Sequence, residues 1–345
     1  MRSRSPVALL APLALVLALG ACSRRADSRA ASRIKLRVAM QPYLTQAPLL
    51  IAQADSLFAN EGLDVEFVRI ANSTEGVAPL LSGELDVLPS SLSPGLLNSM
   101  ARDLPVRMVA DRGFVDPAGC TFMAIAVPPG RAAAANADPH RVKRVSIERQ
   151  HAMLYVIEKS LQSVGLSLES LTTSVVPPLP EADALGKGTL DAAFVGEPWI
   201  ARDVAAGKAE LWIRAERVLP GLQSGFIFFG PSLLKRNPDA GHRFLIAYRR
   251  AIGRYLEGKT PANVALLARE TGDTPDLVKR SCWPPMRPDS RVELASVQQY
   301  QRWLQAKGLV SVPATPRQMW DSSFLVYADS VLSRRHQLAT GNSHE

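Results

Sequence analysis

Polar side chains with recognisable chemistry gather at five corners of an otherwise apolar chain. Ser90, Ser91 and Ser93 stand just before Pro94; hydroxyls placed there cap a helix, and the same arrangement holds a buried anion or amide. Gln41, Tyr43 and Thr45 form a polar loop in which Tyr43 offers an aromatic face and a hydroxyl. Asn72, Ser73 and Thr74 read first as helix caps. Glu148, Arg149, Gln150 and His151 occupy a strand–helix corner, where Arg149 is either solvated surface or a bidentate clamp for a carboxylate or sulfonate. His151 reads as a helix-face residue. The fifth corner is Glu197-Pro198-Trp199. A carboxylate facing a cleft disfavours an anion and rewards a ligand with N–H donors or positive charge.

These types are binding groups, and their cues conflict. Tyr43, Glu197 and Trp199 lean toward a planar, nitrogen-bearing ligand; Arg149 and the serines lean toward an anion. No catalytic set stands beside them. The histidines, at 140, 151, 242, 336 and 344, lack metal-ligand spacing. Gly186-Lys187-Gly188-Thr189 lacks the spacing of a phosphate loop and precedes a strand, so it reads as a turn. Ser224, in Gln223-Ser224-Gly225, has no nucleophile elbow around it. No catalytic residue, metal or cofactor is expected.

The elements that position these corners alternate. Lys35–Met40 reads as a strand, followed by a helix from Pro48 through Asn60, which Gly62 closes. Leu63–Ile70 is a second strand, Glu75–Ser82 a helix, Asp86–Leu88 a strand, and Val106–Ala110 another. The plan then repeats: strand Val142–Ile147, a helix from Glu148 to Gly165 with one apolar face, strand Thr172–Val176, helix Pro180–Gly186, strand Leu190–Val195, helix Ile200–Ala206 and strand Leu211–Arg214. Such alternation predicts parallel sheets with helices on both faces. Gly225–Gly230 is an apolar strand suited to carry the chain back to the first unit, and the remainder is helical: 239–257, 261–271, 289–307 and 317–335. The expected organisation is one lobe from 34–115 plus 225–335, a second lobe from 116–224, and a disordered polar tail over 336–345.

Composition agrees. The 345 residues are 47% hydrophobic and 21% charged, enough for a sizeable core and unlike a disordered chain or coiled coil. The one long apolar run lies at the start: Arg2 and Arg4, then Val7–Leu19, then Leu19-Gly20-Ala21-Cys22. A basic head, a short apolar stretch and small residues before a cut site describe a secretory signal peptide over 1–21. The run is too short to favour a permanent span. Residues 22–33 read as a flexible tether. Losing Arg2 and Arg4 with the signal takes the net charge from +8 to +6. The basic residues are spread without a stripe or interleaved aromatics, so nucleic acid is not an expected partner. Three cysteines exclude a disulfide scaffold. Whether Cys120 and Cys282 pair is left open by sequence, although an oxidising compartment permits it.

Taken in order, several segments resemble the solute-binding proteins of ABC importers, in the branch for nitrate, alkanesulfonates, taurine and thiamine-precursor pyrimidines. They are Gln41-Pro42-Tyr43 through Ala47-Pro48-Leu49, Ala52, Leu57-Phe58, Glu61-Gly62-Leu63-Asp64-Val65, Leu80-Leu81-Ser82-Gly83-Glu84-Leu85-Asp86-Val87, and Gly188-Thr189-Leu190-Asp191-Ala192-Ala193-Phe194-Val195-Gly196-Glu197-Pro198-Trp199. The resemblance spans 35–328. Cys22 after Leu-Gly-Ala resembles the bacterial lipobox, whose thiol receives lipid and becomes the first residue of the mature chain. The resemblance implies a type II periplasmic-binding fold, two α/β lobes around a hinged cleft with a helical C-terminal segment. It also implies an exported, lipid-anchored monomer that closes on a small molecule and docks on an ABC permease. Ligands of open α/β lobes sit beyond the strands' carboxyl ends, which puts Gln41, Tyr43, Thr45, Ser73, Ser90, Ser91, Arg149, Gln150, Glu197 and Trp199 forward as ligand-binding candidates. A ligand sensor, or an enzyme on the same two-lobe fold, is the alternative; the cysteine-rich segment of the pyrimidine synthases of this fold has no counterpart here.

Overall fold

A computed structural model describes residues 33–41, 43–70 and 72–341. The expected signal peptide over 1–21, the lipid-bearing Cys22 and all but Arg33 of the tether lie outside the described residues. The strands among the described residues are β1 (Ile34–Met40), β2 (Leu63–Arg69), β3 (Val87–Ser90), β4 (Arg107–Phe114), β5 (Met123–Val127), β6 (Arg144–Ser146), β7 (Thr172–Ser174), β8 (Ala192–Gly196), β9 (Glu210–Arg214) and β10 (Gln223–Phe229). They form two five-stranded sheets, ordered β2-β1-β3-β10-β4 and β7-β6-β8-β5-β9.

The sheets are mixed, not parallel. β1 runs parallel to β2 and β3, and β6 parallel to β7 and β8. β10 is antiparallel to β3 and β4, and β5 is antiparallel to β8 and β9. The reversed strands are the ones that enter from the other lobe. β5 follows β4 through a loop, and β10 follows β9 through the single helical turn Ala215–Val218, each passing from one sheet to the other. Each lobe therefore owns one strand delivered by the other, and the two crossings make the hinge.

Several local features depart from the sequence pattern. The helix expected from Pro48 to Asn60 is two helices, Ala47–Ala54 and Leu57–Asn60, because Ser56 turns left-handed at φ 56°. The helix expected to begin at Glu75 begins at Val77, and the one expected at Glu148 begins at His151. Strand β5, a wholly buried MAIAV segment without alternation, carries no sequence pattern of its own. No helix among the described residues is long and apolar enough to cross a membrane.

The first lobe packs helix Pro238–Leu256 against its sheet. Asn237 caps that helix and Pro238 occupies its first turn. Phe58, Phe229, Phe244 and Tyr248 are fully buried around it. The C-terminal chain then crosses the hinge as an irregular strap. Asp111 N–H donates to Ser290 O at 2.8 Å and Phe114 N–H to Pro285 O at 3.0 Å, satisfying the outer edge of β4. Helix Leu294–Ala306, expected with the first lobe, packs on helix His151–Gln162 of the second, with Tyr300 and Trp303 edge-on to Tyr155. The last helix runs Ser323–Gly341, through the start of the tail expected to be disordered. Nothing between Arg335 and Gly341 breaks it, and Arg335 donates two hydrogen bonds to buried Glu61.

Cys120 and Cys282 are joined by a disulfide, with Cα atoms 5.6 Å apart. It ties the first crossing, between β4 and β5, to the strap.

Candidate functional site

A cavity of about 330 Å³ lies between the sheets, beyond the carboxyl ends of their strands. Gln41, Tyr43, Thr45, Ser73 and Ser91 line it from the first lobe, and Gln150, Glu197 and Trp199 from the second. Ser90 and Arg149 do not. Ser90 is fully buried and donates its hydroxyl to Ser91 O at 2.7 Å, so alternation along the end of β3 gives the cavity to Ser91. Arg149 is exposed. The helix it was expected to join starts two residues later, which turns its side chain away from the cleft.

The cationic group of the cavity is Arg112 instead. It sits on β4, with 6% of its surface exposed. Burial lowers its pKa to about 10, partly offset by Tyr248 and Asp111, so the guanidinium is charged at neutral pH. One Nη donates to Thr45 Oγ1 at 2.6 Å, and Nε has no partner. The neighbouring carboxylate does not pair with it directly. Asp111 accepts from Gly113 N–H at 2.9 Å, from Arg287 N–H at 2.7 Å and from the Gln223 side chain. Burial raises the Asp111 pKa to about 6. Gly225 on β10 lets Arg112 lie where it does, since a Cβ there would approach Arg112 Nη2 and its backbone oxygen to 3.1 Å.

Beside Arg112 the first-lobe wall is made of hydrogen-bonding groups. Ser73 donates to Gln41 Oε1 at 3.4 Å, and both are buried. Ser93 caps helix Pro94–Ala101 by accepting from Leu96 N–H, which leaves Ser91 to the cavity. Asn72 caps Thr74 and Glu75 and is not in the lining.

The second-lobe wall is acidic. Glu148 follows β6, and Glu181 lies in the first turn of helix Pro178–Gly186. Burial raises the Glu148 pKa. Burial also raises Glu181 to about 7; a hydrogen bond from Ser146 works against this, while Glu148 and Asp203 add to it. The Tyr43 hydroxyl is pushed up by burial and then by Glu148, and both residues line the cavity. Glu197 also lines the floor, but both its oxygens are engaged: Oε1 accepts from Cys282 N–H at 2.7 Å and Oε2 from Ala201 N–H at 3.1 Å. One face of Trp199 is covered by the Arg202 guanidinium, 4.4 Å from the ring centroid. Arg202 in turn pairs with Asp273 of the first lobe at 2.8 Å. Phe122, Met153, Phe194 and Pro284 are among the apolar residues that complete the lining.

Sequence reasoning passed over Arg112 and Glu181. The signal was available for the first: Asp111-Arg112 interrupts the apolar run of β4, and a charged pair inside a buried strand requires a partner or a task.

The architecture is shared with proteins of known structure. The alkanesulfonate-binding protein SsuA from Xanthomonas axonopodis pv. citri, bound to MOPS, is 22% identical, with 84% of this chain and 99% of that chain covered at a TM-score of 0.64. The periplasmic nitrate-binding protein NrtA from Synechocystis PCC 6803 is 14% identical, with 89% of each chain covered at a TM-score of 0.61. The desulfurization enzyme DszB is 15% identical, with 88% of this chain and 100% of that chain covered at a TM-score of 0.62. These likenesses establish the type II periplasmic-binding fold. No curated protein sequence matches the chain. Residues 44–259, well over half of the chain, match the family described as NMT1/THI5 like, and the protein is a member of that family.

Proposed function

We propose that the protein is a solute-binding protein that captures a small polar molecule between its lobes and presents it to the permease of an ABC importer. The observation that carries this is Arg112. A guanidinium this deeply buried, with an unpartnered Nε and its neighbouring carboxylate turned elsewhere, is stabilised by a ligand that brings a negative charge to it. That favours an anionic group, sulfonate- or nitrate-like, over a neutral aminopyrimidine-like heterocycle as the part of the ligand held by the first lobe. Hydrogen-bonding groups from both lobes line the same cavity, so a bound solute stabilises the shut state and the permease reads that state. The Arg202–Asp273 pair adds a contact between the lobes.

The binding proteins of the same fold support the reading, as does the N-terminal sequence, which suits export and lipid attachment at Cys22. DszB marks the alternative of an enzyme on this fold. The lining of this cavity contains neither cysteine nor histidine, and both described cysteines are held in the disulfide, which favours binding over covalent chemistry.

A thermal-shift screen of the full chain against sulfonates, nitrate, carboxylates, aminopyrimidines and thiamine tests the proposal. A ligand at about 100 times its dissociation constant adds roughly 2.7 kcal/mol, a shift of a few degrees at this size. Stabilisation by an anionic class that disappears in Arg112→Met supports the assignment. Stabilisation that survives in Arg112→Met removes Arg112 from the site.

A further inference from the structure

Glu197 borders a second recess. Among the described residues it is the only one that lines both the ligand cavity and a groove of about 550 Å³. The apolar lining of this groove includes Ile200 and Val204 of helix Trp199–Ala205 and Leu211 of β9, with Val204 left 46% exposed. Four cations surround it. Arg214 and Arg217 come from the second lobe; Lys259 and Arg280 come from the first, where Val278, two residues before Arg280, belongs to the core around Phe229 and Tyr248. None of the four forms an ion pair with a described residue. Arg214 donates to Thr121 Oγ1 at 2.9 Å, and Lys259 to the backbone oxygens of Lys279 and Ser281 at 2.6 and 2.8 Å, neutral acceptors that leave the charge in place. Arg217 and Arg280 are exposed and have no hydrogen-bond partner among the described residues. Only two carboxylates share the lining. Glu216 accepts the Thr121 hydroxyl, and Glu197 accepts two backbone N–H groups while the field of Lys259 acts on it. An inorganic anion would leave the apolar wall wet, and a neutral hydrocarbon would leave the surplus positive charge unmatched.

We infer that this groove is a second binding site, separate from the ligand cavity, for a small amphiphilic anion: a carboxylate on a short hydrocarbon chain, its oxyanion toward Arg217 and Arg280 and its chain along Ile200, Val204 and Leu211. Small-molecule sites favour the junction of domains and combine an apolar lining with a few placed charged groups, as this groove does. Guanidinium groups suit a carboxylate because they present paired N–H donors to its two oxygens. Each lobe supplies two of the four cations, so an anion that contacts both sets stabilises the arrangement of lobes that brings them to one groove. The partition between this groove and the ligand cavity is Glu197 with the helix that follows it, which places the second occupant against the back of the solute site. The inference goes beyond the solute-binding proposal and does not depend on which solute Arg112 holds.

Calorimetry on the full chain at neutral pH and low salt tests it, with straight-chain alkanoates of about four to ten carbons as probes, a length that matches the two turns of helix Trp199–Ala205, beside acetate and the corresponding alcohols. The expected result is that at least one alkanoate binds roughly tenfold or more tightly than both acetate and its own alcohol, the size of a charge-assisted hydrogen bond. Two variants of exposed residues separate the halves of the site: Arg217→Gln/Arg280→Gln removes the charge, and Val204→Asp removes the apolar wall and adds repulsion. Each should weaken the alkanoate by about tenfold or more. Neither should move the melting temperature appreciably, because these side chains are exposed. Arg112→Met should leave alkanoate binding unchanged. Binding that survives in both groove variants overturns the inference, and its loss in Arg112→Met alone assigns the alkanoate to the ligand cavity instead. Should Arg112→Met fail to fold, the two groove variants decide the matter. Equal binding of alkanoate and alcohol, or no binding by any member of the series, overturns the inference and leaves the solute-binding proposal to its own screen.

Discussion

Glu197 Oε1 accepts the backbone N–H of Cys282 at 2.7 Å, and so the floor of the cleft in the second lobe is bonded to the strap that backs the hinge. The other oxygen accepts Ala201 N–H at 3.1 Å, closing the first turn of the helix that carries Trp199. Cys282 is itself fixed to Cys120 in the first crossing. A carboxylate, a backbone amide and a disulfide thus connect the cleft floor, the strap and the crossing strand at one place. Burial raises the Glu197 pKa, and the two N–H donors lower it again.

Glu197→Ala should therefore act first on stability. It leaves two backbone N–H groups without acceptors, each costing about 1–3 kcal/mol where water cannot replace the oxygen. A melting temperature lower by several degrees, measured by calorimetry without ligand, is the expected result. An unchanged melting temperature with lost binding would instead show that the carboxylate serves the ligand. Glu197→Gln should be intermediate, since its amide can accept one N–H but turns a donor toward the other.

The disulfide carries a second expectation. It closes a separation of 162 residues, and a native bridge of this kind is worth about 2–5 kcal/mol. Reductant should lower the melting temperature of the unaltered chain and have no further effect on Cys120→Ala/Cys282→Ala. Equal melting temperatures with and without reductant, with complete reduction verified by thiol titration, would show that the bridge adds nothing.

How much of this was legible in the sequence depends on range. Helix Pro261–Thr271 shows itself locally, through the Thr260 cap, Pro261 and Gly272 at φ 75°. Helix His151–Gln162 shows its apolar face in part: of Met153, Leu154, Ile157, Leu161 and Val164, which the spacing puts on it, Ile157 and Leu161 are buried and the others half-buried, while Tyr155 and Val156 are buried beside them; its first residue depends on how Gln150 leaves β6. That small displacement decides between Arg149 and Glu148 as the residue at the cleft. The mixed sheets were hidden because the direction of β5 and β10 is set by crossings between lobes, a contact between residues about a hundred positions apart, as Gln223 beside Phe114 shows. Ser91 and Ser90 are neighbours with opposite surroundings, a distinction that only the end of β3 makes. Arg112 lay beyond the expected end of its strand at Ala110, whereas β4 continues to Phe114 along the strap.

The acidic wall gives a pH dependence whose sign follows from Glu181. Its folded pKa, about 7, is above the ordinary carboxylate value, so the folded state holds a proton that the unfolded chain releases. Its contribution to stability is present in full below about pH 4.5 and is lost as pH rises through about 7. Glu181→Gln should melt higher than the unaltered chain at pH 8, with the gap narrowing toward pH 5. Asp111, raised to about 6 by burial, shares the sign in both proteins and cancels in the comparison; Asp203, also raised to about 6, adds to the rise of Glu181 and belongs to the same effect. A gap that widens toward pH 5 would mean that Glu181 is ionised and held by a cation in the folded state.

Arg112 separates stability from binding most cleanly. Replacing a buried charge by an apolar side chain of similar length is often neutral or stabilising, because the cost of desolvation disappears with the charge. Arg112→Met keeps the unbranched stem between β10 and Thr45 and gives up the 2.6 Å bond to Thr45 Oγ1. The melting temperature without ligand should change by no more than a few degrees, in either direction. Binding of any anionic ligand should weaken by roughly tenfold to a hundredfold, the range of a lost hydrogen bond to a charged partner. Arg112→Lys should recover only part of this, since an ammonium cannot present two parallel N–H groups to one oxyanion. If Arg112→Met unfolds the protein, the guanidinium is a structural group paired through the field of Asp111, and the anion must be held by Gln41, Ser73 and Ser91 alone. If Arg112→Lys binds as tightly as arginine, charge alone is read at this wall and the fork geometry plays no part.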